Sequence, residues 1–164
     1  MTVLTHDQLS GEVLRSAFGS HPSGVTAVCA TIDGEPTGLV ASSFTSVSLE
    51  PPLVSVCVAH TSTTWPRLRP AARLGVSVLA ADHHEVARRL SARAAERFDQ
   101  VGWEESANGA VFIDGSALRL ECSIENEVRA GDHDIVLLRV IAVQSYPEVA
   151  PLVFHASRFR RLEA

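Results

Sequence analysis

A chain of 164 residues, 46% hydrophobic and 20% charged, is long enough to bury one full core and short for two, so residues 1–164 read as a single domain. The formal net charge of −5, with arginine far outnumbering lysine, leaves no basic stripe of the kind that neutralises a phosphate backbone, and nucleic acid is not an expected partner. No apolar run approaches the roughly 20 residues that span a bilayer, and the N-terminal MTVLTHDQLSGEV is polar where a signal peptide is apolar, so no membrane partner and a cytoplasmic location are expected.

In chain order, THDQLSGEVLRSAFG pairs Thr5 with Gln8 in a capping-box pattern and spaces Leu9, Val13, Leu14, Ala17 and Phe18 as one face of a short amphipathic helix. GVTAVCATIDGEPTGLVASSF follows, where a β-branched run from Val25 to Ile32 meets Asp33-Gly34, a strong hairpin signal, and resumes at Gly38. In PPLVSVCVAH, Leu53, Val54, Val56 and Val58 predict a strand buried on both sides. HTSTTWPRLRPAARLG offers Thr63 or Thr64 as N-cap and Pro66 near a first turn, with Pro70 too deep for a long helix.

GVSVLAAD predicts a further strand, and Asp82 then caps HHEVARRLSARAAERF, with Val86, Leu90 and Ala94 on one helical face. ALRLECSIENEV alternates, placing Leu118, Leu120, Cys122 and Ile124 inward against Arg119, Glu121, Ser123 and Glu125 outward. The turn segment from Arg129 to Asp134 leads into IVLLRVIAVQSY as a hairpin partner, and PLVFHASRFRRLEA supplies a last short strand. About six strands with short helices between them indicate an antiparallel barrel or sandwich. Cys29, Cys57 and Cys122 are distant, odd in number and set among aliphatic residues, the pattern of buried free thiols.

Several chemistries are set aside by their spacing. His83-His84-Glu85 lacks the second histidine one turn on that HExxH requires, there is no Cys-x-x-Cys, and no metal is expected; His83 and His84 read as exposed first-turn residues. No serine sits in a G-x-S-x-G turn, and neither a P-loop nor a strand-linked G-x-G-x-x-G occurs. What remains is hydroxyls in two clusters, Ser42 to Ser48 and Thr61 to Thr64, each beside a strand expected to be buried. Singly, such residues cap turns and helices more often than they meet ligands. Together, with backbone amides, they can hold phosphate and the polar edge of a flat ring without a charged side chain.

The ordered blocks SSF-x-SVSL-x-PPLV, HTSTTWPRL, GVSVLAAD, RFDQVGW, GDH within LECSIENEVRAGDHDIVLLRV, and PLVFHASRFRRL resemble the flavin reductase-like family. Its members are the short reductase components of two-component flavin-dependent monooxygenases, and the likeness runs from about Phe18 to Leu162. The resemblance implies a mainly β fold, an antiparallel split β-barrel of Greek-key type with a few short helices, normally a homodimer. It implies an NAD(P)H-dependent flavin reductase that transfers hydride from NADH or NADPH to FMN or FAD and supplies reduced flavin to a partner monooxygenase.

By the same resemblance, Val40, Ala41, Ser42, Ser43, Ser46 and Val47 line the flavin ring, while Ser62, Thr63 and Thr64, following Val58 and Ala59, meet the ribityl chain and phosphate. His133 of the GDH turn is where nicotinamide stacks on flavin, as a positioning group, with Phe159 closing that side and Phe98 bordering the flavin. Ser77 stands where the family commonly has Asn, His83 where Gln is frequent and Leu90 where Phe often follows. Alternatives are a flavin-binding split-barrel protein without turnover, and a split-barrel oxidase of the pyridoxine-phosphate type.

Overall fold

The computed structural model describes residues 3–92 and 96–162, so the predicted helical position Ala94 lies outside the described residues. The first predicted helix divides in two. Thr5 and Gln8 do form a capping box, with the Thr5 amide donating to Gln8 Oε1 at 3.1 Å, but over a 3-10 turn at His6–Gln8. Ser10 then caps again, its Oγ accepting from the Val13 amide at 3.2 Å, and starts helix α1 at Gly11–Phe18. No residue of α1 is buried.

Twelve strands follow, where about six were expected: β1 (Ser23–Gly24), β2 (Thr26–Ile32), β3 (Glu35–Ala41), β4 (Thr45–Leu49), β5 (Pro52–Ala59), β6 (Leu74–Val78), β7 (Trp103–Glu105), β8 (Val111–Ile113), β9 (Leu118–Ala130), β10 (His133–Ser145), β11 (Val153–His155) and β12 (Arg158–Arg160). Two short helices, α2 (Trp65–Leu68) and α3 (His84–Leu90), lie between them. Seven strands form one antiparallel sheet in the order β3-β2-β6-β9-β10-β5-β4, and β3 returns to touch β5, so the sheet curls into a split barrel. No described helix is long and apolar enough to cross a membrane.

The barrel wall is apolar on both sides where it is thickest. Val28 and Ala30 of β2 point inward to Val54, Val56, Leu74, Val76, Val136 and Leu138, with Trp65 and Leu68 of α2 as a plug. The alternate residues Ala27 and Cys29 point outward under Ala87 and Leu90 of α3 and under Val111 and Ile113 of β8. Each fully buried Leu, Val or Ile of this kind contributes about 1.5–3 kcal/mol. The Asp33-Gly34 turn is as predicted, with φ of 54° and 81°, values that suit a two-residue type I′ hairpin.

Some expectations are corrected by this layering. Arg119, predicted to face solvent, is 7% exposed because the β7–β8 hairpin, unforeseen in RFDQVGW and beyond, covers the outer face of β9. Its guanidinium pairs with Glu104 and, at 3.3 Å, with Asp114, and lies 5.9 Å from the Phe112 and Tyr146 ring centroids. Cys57, predicted buried, is exposed because β5 turns Val54, Val56 and Val58 inward and Cys57 to the other face. Cys29 and Cys122 are buried free thiols, both pushed up to about 12 by burial.

Helix α3 starts after His83 and not at an Asp82 cap. His83 is half-buried, not exposed: its Nδ1 accepts from the Ala80 amide at 3.2 Å, and burial lowers its pKa. Ser77, the departure on β6, is fully buried, and its Oγ accepts from the Ile113 amide at 3.0 Å, which ties β8 onto the barrel. Leu90 is simply a core residue of α3. The C-terminal segment forms two strands where one was expected, β11 and β12, joined through Ala156 and Ser157 at φ of 49° and 60°.

Candidate active site

A cleft of about 340 Å³ opens where the exit of β3, the end of β5 and the start of β10 converge. Register brings them together: His133 pairs with Ala59 and Asp134 with Val58, so the tight turn at Gly131-Asp132 stands at the end of β5. Gly131 takes φ of 65°, which L side chains rarely adopt, and this explains the glycine of GDH. Leu39, Val40, Ala41, Ser42 and Ser43 form one wall, Cys57, Val58 and Ala59 the floor, and Ser62 and His133 the far side. Of the twelve flavin positions expected, the structure therefore brings seven to this cleft: Val40, Ala41, Ser42, Ser43, Val58, Ala59 and Ser62. No carboxylate or arginine is among its described lining residues.

The hydroxyls divide into those used by the fold and those left open. Ser43 Oγ accepts from the Cys57 amide at 2.8 Å and donates to the Cys57 carbonyl at 3.3 Å, clamping the β3 exit to β5. Thr64 is the N-cap of α2, one of the two residues the sequence offered, but the side-chain cap comes from Ser62, whose Oγ accepts from the Trp65 amide at 3.1 Å. Thr64 is buried, and its hydroxyl accepts a short hydrogen bond from Arg97. The Ser42 and Thr63 side chains are exposed and make no hydrogen bond with a described residue.

His133 Nδ1 lies 2.7 Å from Asp132 Oδ1. That bond holds the Asp132 carboxyl below its usual range, and it leaves Nε2 as the ring nitrogen free for a ligand. Behind it, His60 Nε2 meets Asp134 Oδ1 at 2.9 Å and the His60 amide donates to the Asp132 carbonyl at 2.9 Å. Two histidine–aspartate pairs thus fix the turn on which His133 stands.

The remaining expected residues flank the cleft. Thr64 and Phe98 border a small hollow with Gly38, Arg67 and Arg97, where Arg97 Nη1 also donates to the Gly38 carbonyl at 2.8 Å. Phe98 packs edge-on against Trp103, ring centroids 6.4 Å apart. Phe159 lies on the opposite flank, 5.5 Å from Phe154, in a slot of about 160 Å³ shared with Val40 and Ser42. Ser46 and Val47 stand on the exposed edge strand β4 and do not line the cleft. Thr63 lies on the exposed loop before α2, also outside the lining.

Sequence reasoning passed over Cys57 and Arg97. The first was legible in the alternation Val54, Val56, Val58 against Ser55 and Cys57. Nothing local marks Arg97, whose role depends on a strand 59 residues away.

The model of the flavin reductase like domain matches residues 18–163. An NADH-dependent FAD reductase of Streptomyces globisporus is 42% identical over 156 residues, covering 90% of this chain and 84% of that protein. A reductase subunit of a flavin-dependent monooxygenase from Rhodococcus jostii is 32% identical over 91% of this chain and 76% of its own length. Among solved structures, an NADH:FAD oxidoreductase of Streptomyces globisporus in complex with NAD and FAD fragments superposes with a TM-score of 0.87 at 39% identity, covering 93% of this chain and 92% of that one. The flavin reductase component of a bacterial two-component tryptophan halogenase gives 0.85 at 35% identity, covering 94% and 99%. With this match over nearly its whole length, the chain belongs to the flavin reductase-like family.

Proposed function

We propose that this chain is an NAD(P)H-dependent flavin reductase that accepts FMN or FAD and supplies reduced flavin to a separate monooxygenase component. The carrying observation is the cleft itself, in which the β3 exit, the β5 end and His133 meet in a chain of this family. Its walls suit a flat, partly polar ring system: aliphatic Leu39 and Val40 offer apolar contact, while Ser42, Ser62 and the strand-end backbone offer neutral donors and acceptors. When bound, the flavin supplies the hydride acceptor and the nicotinamide the donor.

What the protein contributes is position. The Ser43 clamp on Cys57 sets the spacing of the two strands that face the ring. Arg97, bonded to Gly38 and Thr64, fixes the flank on which the ribityl chain and phosphate are expected, beside Ser62 and Thr63. Asp132 orients His133, leaving Nε2 as the nitrogen that would hydrogen-bond the nicotinamide and help to position it against the flavin ring. No acid or base of the protein is needed for the hydride to move.

In this reading residues 1–164 are one functional domain, located in the cytoplasm with its NAD(P)H supply, and the working form is a homodimer. Apolar side chains left exposed on the edge strand β4 and on the β9–β10 ribbon support the dimer: Leu49 is 94% exposed, Val143 60%, Val47 and Ile141 49% each.

The test is anaerobic mixing of the purified protein with each flavin and each nicotinamide nucleotide. Loss of nicotinamide absorbance and bleaching of flavin are expected, with FAD and NADH the first pair to try, given the relatives. No loss with any pairing would remove the enzyme reading and leave a binding protein.

A further inference from the structure

Phe159 also borders a second, larger groove of about 460 Å³, lined by Ala81, His84, Arg88, Leu152 and the run from Ser157 to Arg161. In a chain of net charge −5, this groove collects four arginines: Arg88 on α3, Arg158 and Arg160 on β12, and Arg161 just after it. Arg88 is held by Glu85 at 3.5 Å and by the Phe159 ring, whose centroid is 5.9 Å from its guanidinium carbon. Arg158, Arg160 and Arg161 are exposed and form no ion pair with a described residue.

Three guanidinium groups with no ion-pair partner among the described residues repel one another in one groove, and this favours the entry of an anion rich enough in oxygen to accept several forked hydrogen bonds. The groove is not isolated. It shares Phe159 with the slot, and the slot shares Val40 and Ser42 with the cleft, so the three hollows lie side by side along one flank. Across the cleft lies the other flank, with Thr64, Arg67 and Arg97, toward which the flavin phosphate is expected to point. The arginine groove is therefore left to a second phosphate-bearing ligand whose reactive ring enters from the Phe159 side.

We propose that Arg158, Arg160 and Arg161 seat the pyrophosphate of the nicotinamide dinucleotide, with Phe159 dividing this anion seat from the ring-binding cleft. The proposal rests on the flavin reductase reading for the identity of the ligand. In it, dinucleotide affinity is set more than ten residues after the last strand of the barrel, by a hairpin that flanks the cleft without lining it.

The test is equilibrium binding of NAD+, which cannot reduce flavin, to the flavin-loaded protein and to its Arg158→Gln/Arg160→Gln variant, beside titrations of FMN and FAD. Losing hydrogen bonds to a charged group of this kind corresponds to about a tenfold to hundredfold weaker NAD+ binding. The Kd values for both flavins should not move, and the Arg158→Lys/Arg160→Lys variant should recover part of the loss. Raising the salt concentration should weaken NAD+ binding to the parent more than to the variant. Arg161→Gln, which alters no strand, gives a second reading should the double variant fail to fold. Unchanged NAD+ affinity in a folded variant would overturn the proposal. So would a loss confined to FAD, which would assign the groove to the adenylate end of that flavin. A parent that binds flavin and NAD+ but shows no turnover would remove the enzyme reading and leave the groove assignment standing.

Discussion

At one end of the β9–β10 ribbon Arg119 is buried, its charge answered by Glu104 and Asp114 and its guanidinium walled by Phe112 and Tyr146. At the other end His133 has 43% of its side chain exposed, with one ring nitrogen answered by Asp132 and the other open to the cleft. The same two strands carry both residues. The difference is cover: the β7–β8 hairpin lies over the first end, and nothing described lies over the second. Where the fold satisfies its own polar groups it gains stability; where it leaves them open it can receive a ligand.

That contrast can be broken from the covered end first. At Gly75 an added Cβ would run into the Val111 carbonyl, backbone that cannot swing aside. Gly75→Ala is expected to cost about 3 kcal/mol by prising β8 off β6, read as a lower midpoint in denaturant unfolding. Arg119→Ala empties the space between Phe112 and Tyr146 and strands two carboxylates side by side, at about 2 kcal/mol. Ser77→Ala leaves the buried Ile113 amide without its acceptor, at about 1–2 kcal/mol by the same measurement. At the open end, His133→Ala should change stability by less than about 0.5 kcal/mol, since the side chain stands on an exposed turn.

The two ends were also unequally legible. Alternation in LRLECSI identified the strand and its inward residues, but period alone does not say whether an outer face meets solvent or a second layer. Arg119 was therefore placed in water, although its cover comes from Trp103 to Ile113, between six and sixteen residues upstream. The open end was easier, because a tight turn needs Gly131 wherever it is found, and the GDH block carries its family's pattern. Hydroxyl chemistry was legible only as a set. Ser43, Ser62 and Thr64 turned out to hold the backbone or an arginine, which no count of serines and threonines can tell from ligand contacts. The strand β4, rich in Ser and Thr, was missed because its alternation, Val47 and Leu49 against Ser46 and Ser48, spans only five residues and buries none of them.

The central claim is that the open end is where nicotinamide meets flavin, and His133→Ala tests it most directly when flavin titration is paired with steady-state kinetics. The account predicts a flavin Kd close to that of the parent and a KM for the nicotinamide nucleotide raised about tenfold, as expected for loss of one hydrogen bond to a bound ligand. Equal loss of flavin binding and nicotinamide use, or no change in either, would contradict it.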